Sequence, residues 1–369
     1  MNHLHNLNQY MIHSREIRAF FSLILLGISF NFGCVDRSGN TGKSIETDAS
    51  EIESLYLGKG STTPYIHGTF IFLGGKDNWD DDKWDAHMKE MKEIGIETLI
   101  IQYSAYNESL WCNSENNYST NKHINVLPDI LKAASMNHMG VYVGLYFNEE
   151  FWHNTTNKEI LSIHAQRSIN LAKDIWTQYK DYASFKGWYI SHEPAPYYYS
   201  TKENFNILKN NLVNPIADYC KTISNMPVAI APFFNFNLSS SSVFSTFMKR
   251  LGSCNLDIII VQDGIGVEHC TLSELAEYYA AGNRGLYEEG NFKGAFWADI
   301  ETFKQLPDSF IPESFDIVLQ KLRIVDDFVS YIVIYQYYSN MCPDGPNEDS
   351  AKILRDNYLK YVSNKPANR

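Results

Sequence analysis

The chain has 369 residues, 44% hydrophobic and 20% charged, which is ordinary globular composition. That length allows two small domains, or one α/β barrel of about 250 to 300 residues with extensions. The formal net charge of −12 leaves no basic footprint and argues against a nucleic-acid partner.

The N-terminus reads as a targeting segment. Arg15 and Arg18 precede an apolar run from Ala19 to Phe30, too short to span a bilayer and with the charge-then-apolar layout of a secretory signal. Asn31-Phe32-Gly33-Cys34 follows, and a small residue directly before a cysteine resembles a bacterial lipoprotein cleavage site. On that resemblance residues 1–33 are a signal peptide, and Cys34 becomes the lipidated first residue of a protein anchored at the cell envelope or surface. Asn31 stands where such sites carry an aliphatic residue, so an uncleaved N-terminal anchor is the alternative, and Met1 and Met11 are both open as starts. Residues 34–63 are polar, rich in Ser, Gly, Thr and Glu and without a sustained period, and read as a flexible linker.

From Ile66 the chain alternates between short apolar runs and longer amphipathic stretches. The short runs are 69–73, 98–101, 141–146, 187–190, 228–231, 257–261, 294–300 and 331–335. Between them Trp84, Met88, Met91 and Ile94 recur at helical spacing, as do Ile160, Ile163, Ile169, Ala172 and Trp176, with similar stretches at 201–224, 271–282, 313–327 and 347–362. Buried parallel strands look continuously apolar, and each needs a crossover to reach the next. Eight such units predict a (β/α)8 TIM barrel over residues 64–364. A doubly wound open sheet is the runner-up, but no GxGxxG turn follows the first run; Gly74-Gly75 alone carries no dinucleotide site. Asp80-Asp81-Asp82 before Lys83-Trp84 reads as an N-cap with acidic residues in the first helical turn rather than a metal site. Apart from Cys34 the cysteines are Cys112, Cys220, Cys254, Cys270 and Cys342, an odd set without CxxC spacing. Neither a zinc ribbon nor a full disulfide framework is signalled, and the spacing chooses no single bridge.

In a barrel, chemistry sits where strands end and the following loops begin. The polar residues there are, in order, Gln102-Tyr103, Asn148-Glu149-Glu150, His192-Glu193, Asn235, Gln262-Asp263, Asp299 with Glu301, and Gln336-Tyr337. The fourth run, Gly187-Trp188-Tyr189-Ile190, is stopped by His192-Glu193-Pro194, and proline cannot continue a sheet ladder. Glu193 thus ends the fourth strand and Glu301 the seventh, within Trp297-Ala298-Asp299-Ile300-Glu301. Here the chain resembles the retaining barrel glycosidases, which carry an acid/base glutamate after strand four, commonly as Asn-Glu-Pro, and a nucleophilic glutamate after strand seven. His192 stands where that motif has the asparagine that contacts the sugar 2-hydroxyl. Gly68 to Tyr361 is also similar to a family of uncharacterised barrel domains in exported bacterial proteins, through "HGTFIFLGG", "GWYISHEP" and "FWADIETF" in that order. The resemblance implies glycoside hydrolysis of an oligo- or polysaccharide by Glu193 as acid/base and Glu301 as nucleophile.

The chemistry fits the residue types, because cleaving a glycosidic bond needs a proton for the leaving oxygen and a carboxylate against an oxocarbenium-like centre. Trp297 and the run Tyr197-Tyr198-Tyr199 offer flat faces for sugar rings, and the neighbouring Gln and Asn residues offer hydrogen bonds. Other readings stay open: Glu149 or Glu150 binds substrate or caps a helix, Asp263 touches a ligand or orients a loop, and His192 contacts sugar or packs in the wall. No GxSxG elbow, HExxH helix or Walker loop is present, and neither metal nor cofactor is expected. The alternative from a different class is a surface glycan-binding barrel without turnover.

Overall fold

The computed structural model of the protein describes residues 64–115 and 119–363. The expected signal, the lipidation site at Cys34 and the linker lie outside the described residues. The eight apolar runs form eight parallel strands: β1 (Gly68–Ile71), β2 (Thr98–Ile101), β3 (Gly140–Gly144), β4 (Phe185–Ile190), β5 (Val228–Ile230), β6 (Ile258–Gln262), β7 (Ala295–Glu301) and β8 (Tyr331–Tyr335). Each pairs with its sequence neighbours, and β8 closes on β1 through Gly68 opposite Val333 and Thr69 opposite Ile334. The result is a closed (β/α)8 barrel, as expected, and the open sheet is excluded. The strand sequences explain their burial on both faces: Thr98-Leu99-Ile100-Ile101 and Ile258-Ile259-Ile260-Val261 have no polar side to turn to water.

Eight longer helices accompany the strands: α1 (Asp81–Glu93), α2 (Val126–Met136), α3 (Lys158–Tyr179), α4 (Asn214–Ile223), α5 (Ser241–Leu251), α6 (Leu272–Asn283), α7 (Phe315–Asp326) and α8 (Glu348–Ser363). The Asp80 carboxylate accepts from the Lys83 N–H at 2.9 Å and caps α1, with Asp81 and Asp82 in its first turn, as the acidic triplet predicts. Two helices have no counterpart in the sequence reading. Pro128 interrupts the start of α2, and α5 begins within a run of serines that reads as loop. In α3 the buried face also differs from the one expected. Leu161, His164, Ala165, Ser168, Leu171, Ala172, Ile175 and Tyr179 face the barrel, and Ile163 is 46% exposed. A stripe that includes a histidine and a serine competes poorly, by periodicity, with isoleucines on the opposite side.

Inside the barrel Phe70, Ile100, Tyr189, Ala229, Ile258, Ile260, Trp297 and Val333 form one apolar cluster. Above it, at the carboxyl ends of the strands, β2 and β3 extend into a small sheet of residues 105–106, 109–110, 121–122 and 146–147. An antiparallel hairpin, Phe303–Leu306 with Ser309–Pro312, follows β7. All five described cysteines are free and buried.

Candidate active site

Side chains alternate across a strand, so each residue that faces the barrel interior fixes the parity of its neighbours. On β4 Tyr189 faces inward, which sends Ser191 and Glu193 inward and turns His192 out toward the helices. The His192 Nε2 lies 3.0 Å from the His164 Nδ1 of α3, and the His192 ring packs against Phe147 and Phe151. His192 is fully buried and does not reach the barrel mouth, so the expected sugar contact is corrected to a wall residue. Burial, then the neighbouring His164, holds its imidazole well below the usual range and therefore neutral.

On β6, Ile258 and Ile260 face inward and carry Gln262 with them. Asp263 has the opposite parity. Its carboxylate is buried against the ammonium of Lys321 on α7, with both side chains 0% exposed. The ligand reading of Asp263 gives way to the loop-orienting one, because Asp263 also accepts from the Ile265 N–H at 2.8 Å and the Glu301 N–H at 3.0 Å.

On β7 Trp297 faces inward but lies four residues before Glu301, or roughly 13 Å at the usual strand rise. It packs between Tyr142 and Tyr331, with ring centroids at 5.6 and 4.4 Å, in the core beneath the mouth. It cannot serve as a sugar platform there, and the sequence reading erred by treating strand membership as mouth position. Asp299 lies one layer higher, level with Gln262 on the neighbouring strand.

Glu193, Asp299 and Glu301 are the acids at this end, with 6%, 3% and 3% of their surfaces exposed. Burial is the first cause pushing the Glu193 carboxyl up to about 8; a side-chain hydrogen bond with Gln262 opposes it and the charge of Glu149 adds to it. Glu301 is likewise raised to about 8, first by burial and then by Asp263, while Lys321 and hydrogen bonds from the backbone N–H groups of Gly266 and Val267 oppose the rise. Asp299 is pushed well above the carboxylate range by burial, then by the charges of Glu301, Asp263 and Glu193. Its Oδ1 has no hydrogen-bond partner among the described residues, and neither does the Tyr189 hydroxyl. The two glutamates therefore sit in the same raised range with different neighbours: Glu301 has Lys321 and two backbone donors but an Oε2 without a hydrogen-bond partner among the described residues, and Glu193 has one amide.

Other predicted residues build the surroundings. The Gln102 amide accepts from the Tyr335 hydroxyl at 3.2 Å and donates to the Tyr103 hydroxyl at 2.9 Å, linking strands β8 and β2 across the interior. Tyr103 stacks on Tyr106 and Phe147 at 5.0 and 5.4 Å, and the charge of Glu193 adds to the burial that raises its phenol. Glu149 accepts from the Tyr106 hydroxyl at 2.6 Å and leaves Oε2 buried without a partner, whereas Glu150 is exposed at the start of a short helix. Asn148 is occupied by the Glu150 N–H at 2.8 Å and Asn235 by the Asn237 N–H at 2.9 Å, so both side chains shape loops. Gln336 is buried, and its Oε1 has no hydrogen-bond partner among the described residues. Of the tyrosine triplet, Tyr197 and Tyr198 are half-buried with their rings tilted against each other at 4.3 Å, while Tyr199 is fully buried and donates to the Thr155 carbonyl.

The sequence reading missed Tyr189, Tyr335 and Lys321. Counting back by twos from Glu193 finds Tyr189. Lys321 was legible as a lysine on the buried stripe of α7, with Val318, Leu322 and Val325. A metal ion would look elsewhere: among the described residues the one His/Cys/carboxylate trio with mutually close donors is His87, Glu90 and Cys342, on α1 and after β8.

Comparison with solved structures supports the fold. A candidate α-L-fucosidase from Bacteroides thetaiotaomicron superposes with a TM-score of 0.70 at 21% identity, covering 90% of this chain and 100% of its own. An endo-1,4-β-D-mannanase from Thermotoga petrophila RKU-1 gives 0.52 at 13% identity, covering 80% and 99%. The endo-1,4-β-mannanase of Rhizomucor miehei gives 0.50 at 13%, covering 83% and 97%. No curated protein matches the sequence. Residues 66–350 match the model of the domain of unknown function DUF4434, and the chain belongs to that family.

Proposed function

We propose that the barrel is a retaining glycoside hydrolase acting on an oligo- or polysaccharide, with Glu193 as acid/base and Glu301 as nucleophile. The observation that carries this reading is the pair of buried carboxyls at the ends of β4 and β7, both raised to about 8 by burial, with a cation beside Glu301 alone. Burial against tyrosines, with one amide partner, favours the protonated form of Glu193, and an acid is what the leaving oxygen needs. Burial and Asp263 raise Glu301 to about 8 as well, but Lys321 and the Gly266 and Val267 N–H groups offset part of that rise, so Glu301 is the member of the pair we assign to ionise and attack the anomeric carbon. Attack by Glu301 forms a glycosyl ester as Glu193 delivers its proton; Glu193 then removes a proton from the incoming water, and configuration is retained. Asp299, kept protonated between them, donates a hydrogen bond to a sugar hydroxyl from its free Oδ1 side. We further propose that a lipid on Cys34 tethers the enzyme to the membrane.

A specific observation favours a second reading. With His192 turned into the wall, it does not take the role of the asparagine that contacts the 2-hydroxyl, a contact that strengthens in the transition state. A barrel that binds glycan without turning it over keeps the groove and loses that contact. Turnover of a panel of activated aryl glycosides separates the two. The hydrolase reading expects hydrolysis by the unmutated protein, loss in Glu301→Gln, and only partial loss in Asp299→Asn. Binding without hydrolysis anywhere in the panel supports the second reading. Full activity in Glu301→Gln with none in Asp299→Asn moves the nucleophile to Asp299.

A further inference from the structure

We propose that Asp263 and Lys321 are positioning residues that hold Glu301 by its own backbone. The inference rests on the reading of Glu301 as nucleophile. The Lys321 Nζ donates to the Glu301 carbonyl at 2.7 Å, and the Glu301 N–H donates to Asp263 Oδ2 at 3.0 Å. The two side chains face each other at 3.3 Å, each 0% exposed. Opposite ends of one buried ion pair therefore grip the two polar groups that flank the Glu301 Cα.

The second half of the device is the loop after β6. Asp263 Oδ1 accepts from the Ile265 N–H at 2.8 Å, and Gly264 takes a φ of +68° that suits glycine. That turn brings the Gly266 and Val267 N–H groups to the Glu301 carboxylate. The Gln305 N–H donates to the Gly266 carbonyl at 2.8 Å, so the hairpin after β7 locks the loop in place. Asp263 and Lys321 thus fix where Glu301 starts, and the loop they seat fixes where its carboxylate ends.

A merely structural role explains this poorly. A buried ion pair is a weak source of stability, because desolvating both charges offsets most of their attraction. What the pair supplies is direction and charge beside a carboxylate. Glu301 is faced by Asp263 directly after β6, Lys321 of α7, Asp299 of β7, Tyr279 of α6 and Cys270 of the β6 loop. Of these, Lys321 alone is a cation.

The test is a pH series of kcat/KM for Asp263→Asn and for the double variant Asp263→Asn, Lys321→Met, with melting curves to confirm folding. Asn keeps one acceptor oxygen, enough for the Glu301 or the Ile265 N–H but not both, and removes the negative charge, so the acid limb moves to lower pH. Adding Lys321→Met removes the one cation facing Glu301, moves the acid limb back up, and lowers kcat by roughly tenfold or more at nearly constant KM, because the carbonyl is no longer held. A stationary acid limb in Asp263→Asn, or an unmutated kcat in the double variant, overturns the proposal. If the unmutated protein hydrolyses no glycoside, the proposed function fails by itself. The Glu301 carboxyl titration, followed by carbon NMR in the same variants, then tests the positioning: down with Asp263→Asn and back up in the double variant if it holds, and stationary throughout if it does not.

Discussion

Glu193 has one amide beside it and tyrosines around it, and the pH at which it loses its proton follows from that poverty of donors. With the folded Glu193 and Glu301 carboxyls both raised to about 8, kcat/KM should peak narrowly near that pH and fall above it as Glu193 loses its proton, and Glu193→Gln removes that alkaline limb from whatever activity remains. The same shift acts on stability. An unfolded glutamate titrates at about 4.3, so between about 4.3 and 8 the folded state holds a proton that the unfolded state has released, and stability declines as pH rises through that window. Glu193→Gln should accordingly melt higher than the unmutated protein at pH 7, by on the order of 2 kcal/mol, and match it near pH 4. A lower melting temperature at pH 7 would mean that Glu193 makes stabilising contacts as an anion. At this scale Glu193, Asp299 and Glu301 were legible in the sequence, because a polar residue closing an apolar run marks a strand end. His192, Asp263 and Trp297 were misplaced because the sequence shows where a strand ends more clearly than which side each residue takes and how deep it sits.

The elements that shape the mouth are the β6 loop and the hairpin after β7. A Cβ on Gly266 would meet the Phe303 carbonyl at 2.4 Å and Glu301 Oε2 at 2.9 Å, with backbone on one side and the proposed nucleophile on the other. Gly266→Ala should therefore lower kcat by roughly 10²-fold through displacement of the carboxylate, with a modest drop in melting temperature. Unchanged kinetics would show that the loop does not position Glu301. The strands were legible almost to the residue, because short, continuously apolar runs bounded by Gly, Pro and polar clusters have few other uses. Helices α2 and α5 were not, since an early proline and a serine-rich start hide their periodicity. In α3, isoleucines on the outer side outweighed a buried stripe that contains His164 and Ser168.

At the scale of the whole molecule the barrel gathers the ends of distant segments, Glu193 and Glu301 among them, at one mouth; eight evenly spaced units made that closure legible. The proposed chemistry runs on carboxyls, and the trio with metal-ligand character, His87, Glu90 and Cys342, contains none of them. Turnover should survive exhaustive chelation; loss with EDTA, restored by zinc or calcium, would show that the acids have been assigned the wrong work. Cys34→Ser should release the protein from the membrane fraction or leave it unprocessed, and unchanged fractionation and mass would contradict the lipid anchor.

The central claim is the division of labour between Glu193 and Glu301, and azide rescue of Glu193→Ala tests it most directly. That variant should still form a glycosyl–enzyme from an activated aryl glycoside, whose leaving group needs no proton, and then stall for want of a base. Azide should restore turnover by attacking the intermediate, giving a glycosyl azide with the anomeric configuration of the substrate. Failure of azide to rescue, together with an inverted sugar released by the unmutated protein, would mean that water attacks directly and that Glu301 is not the nucleophile.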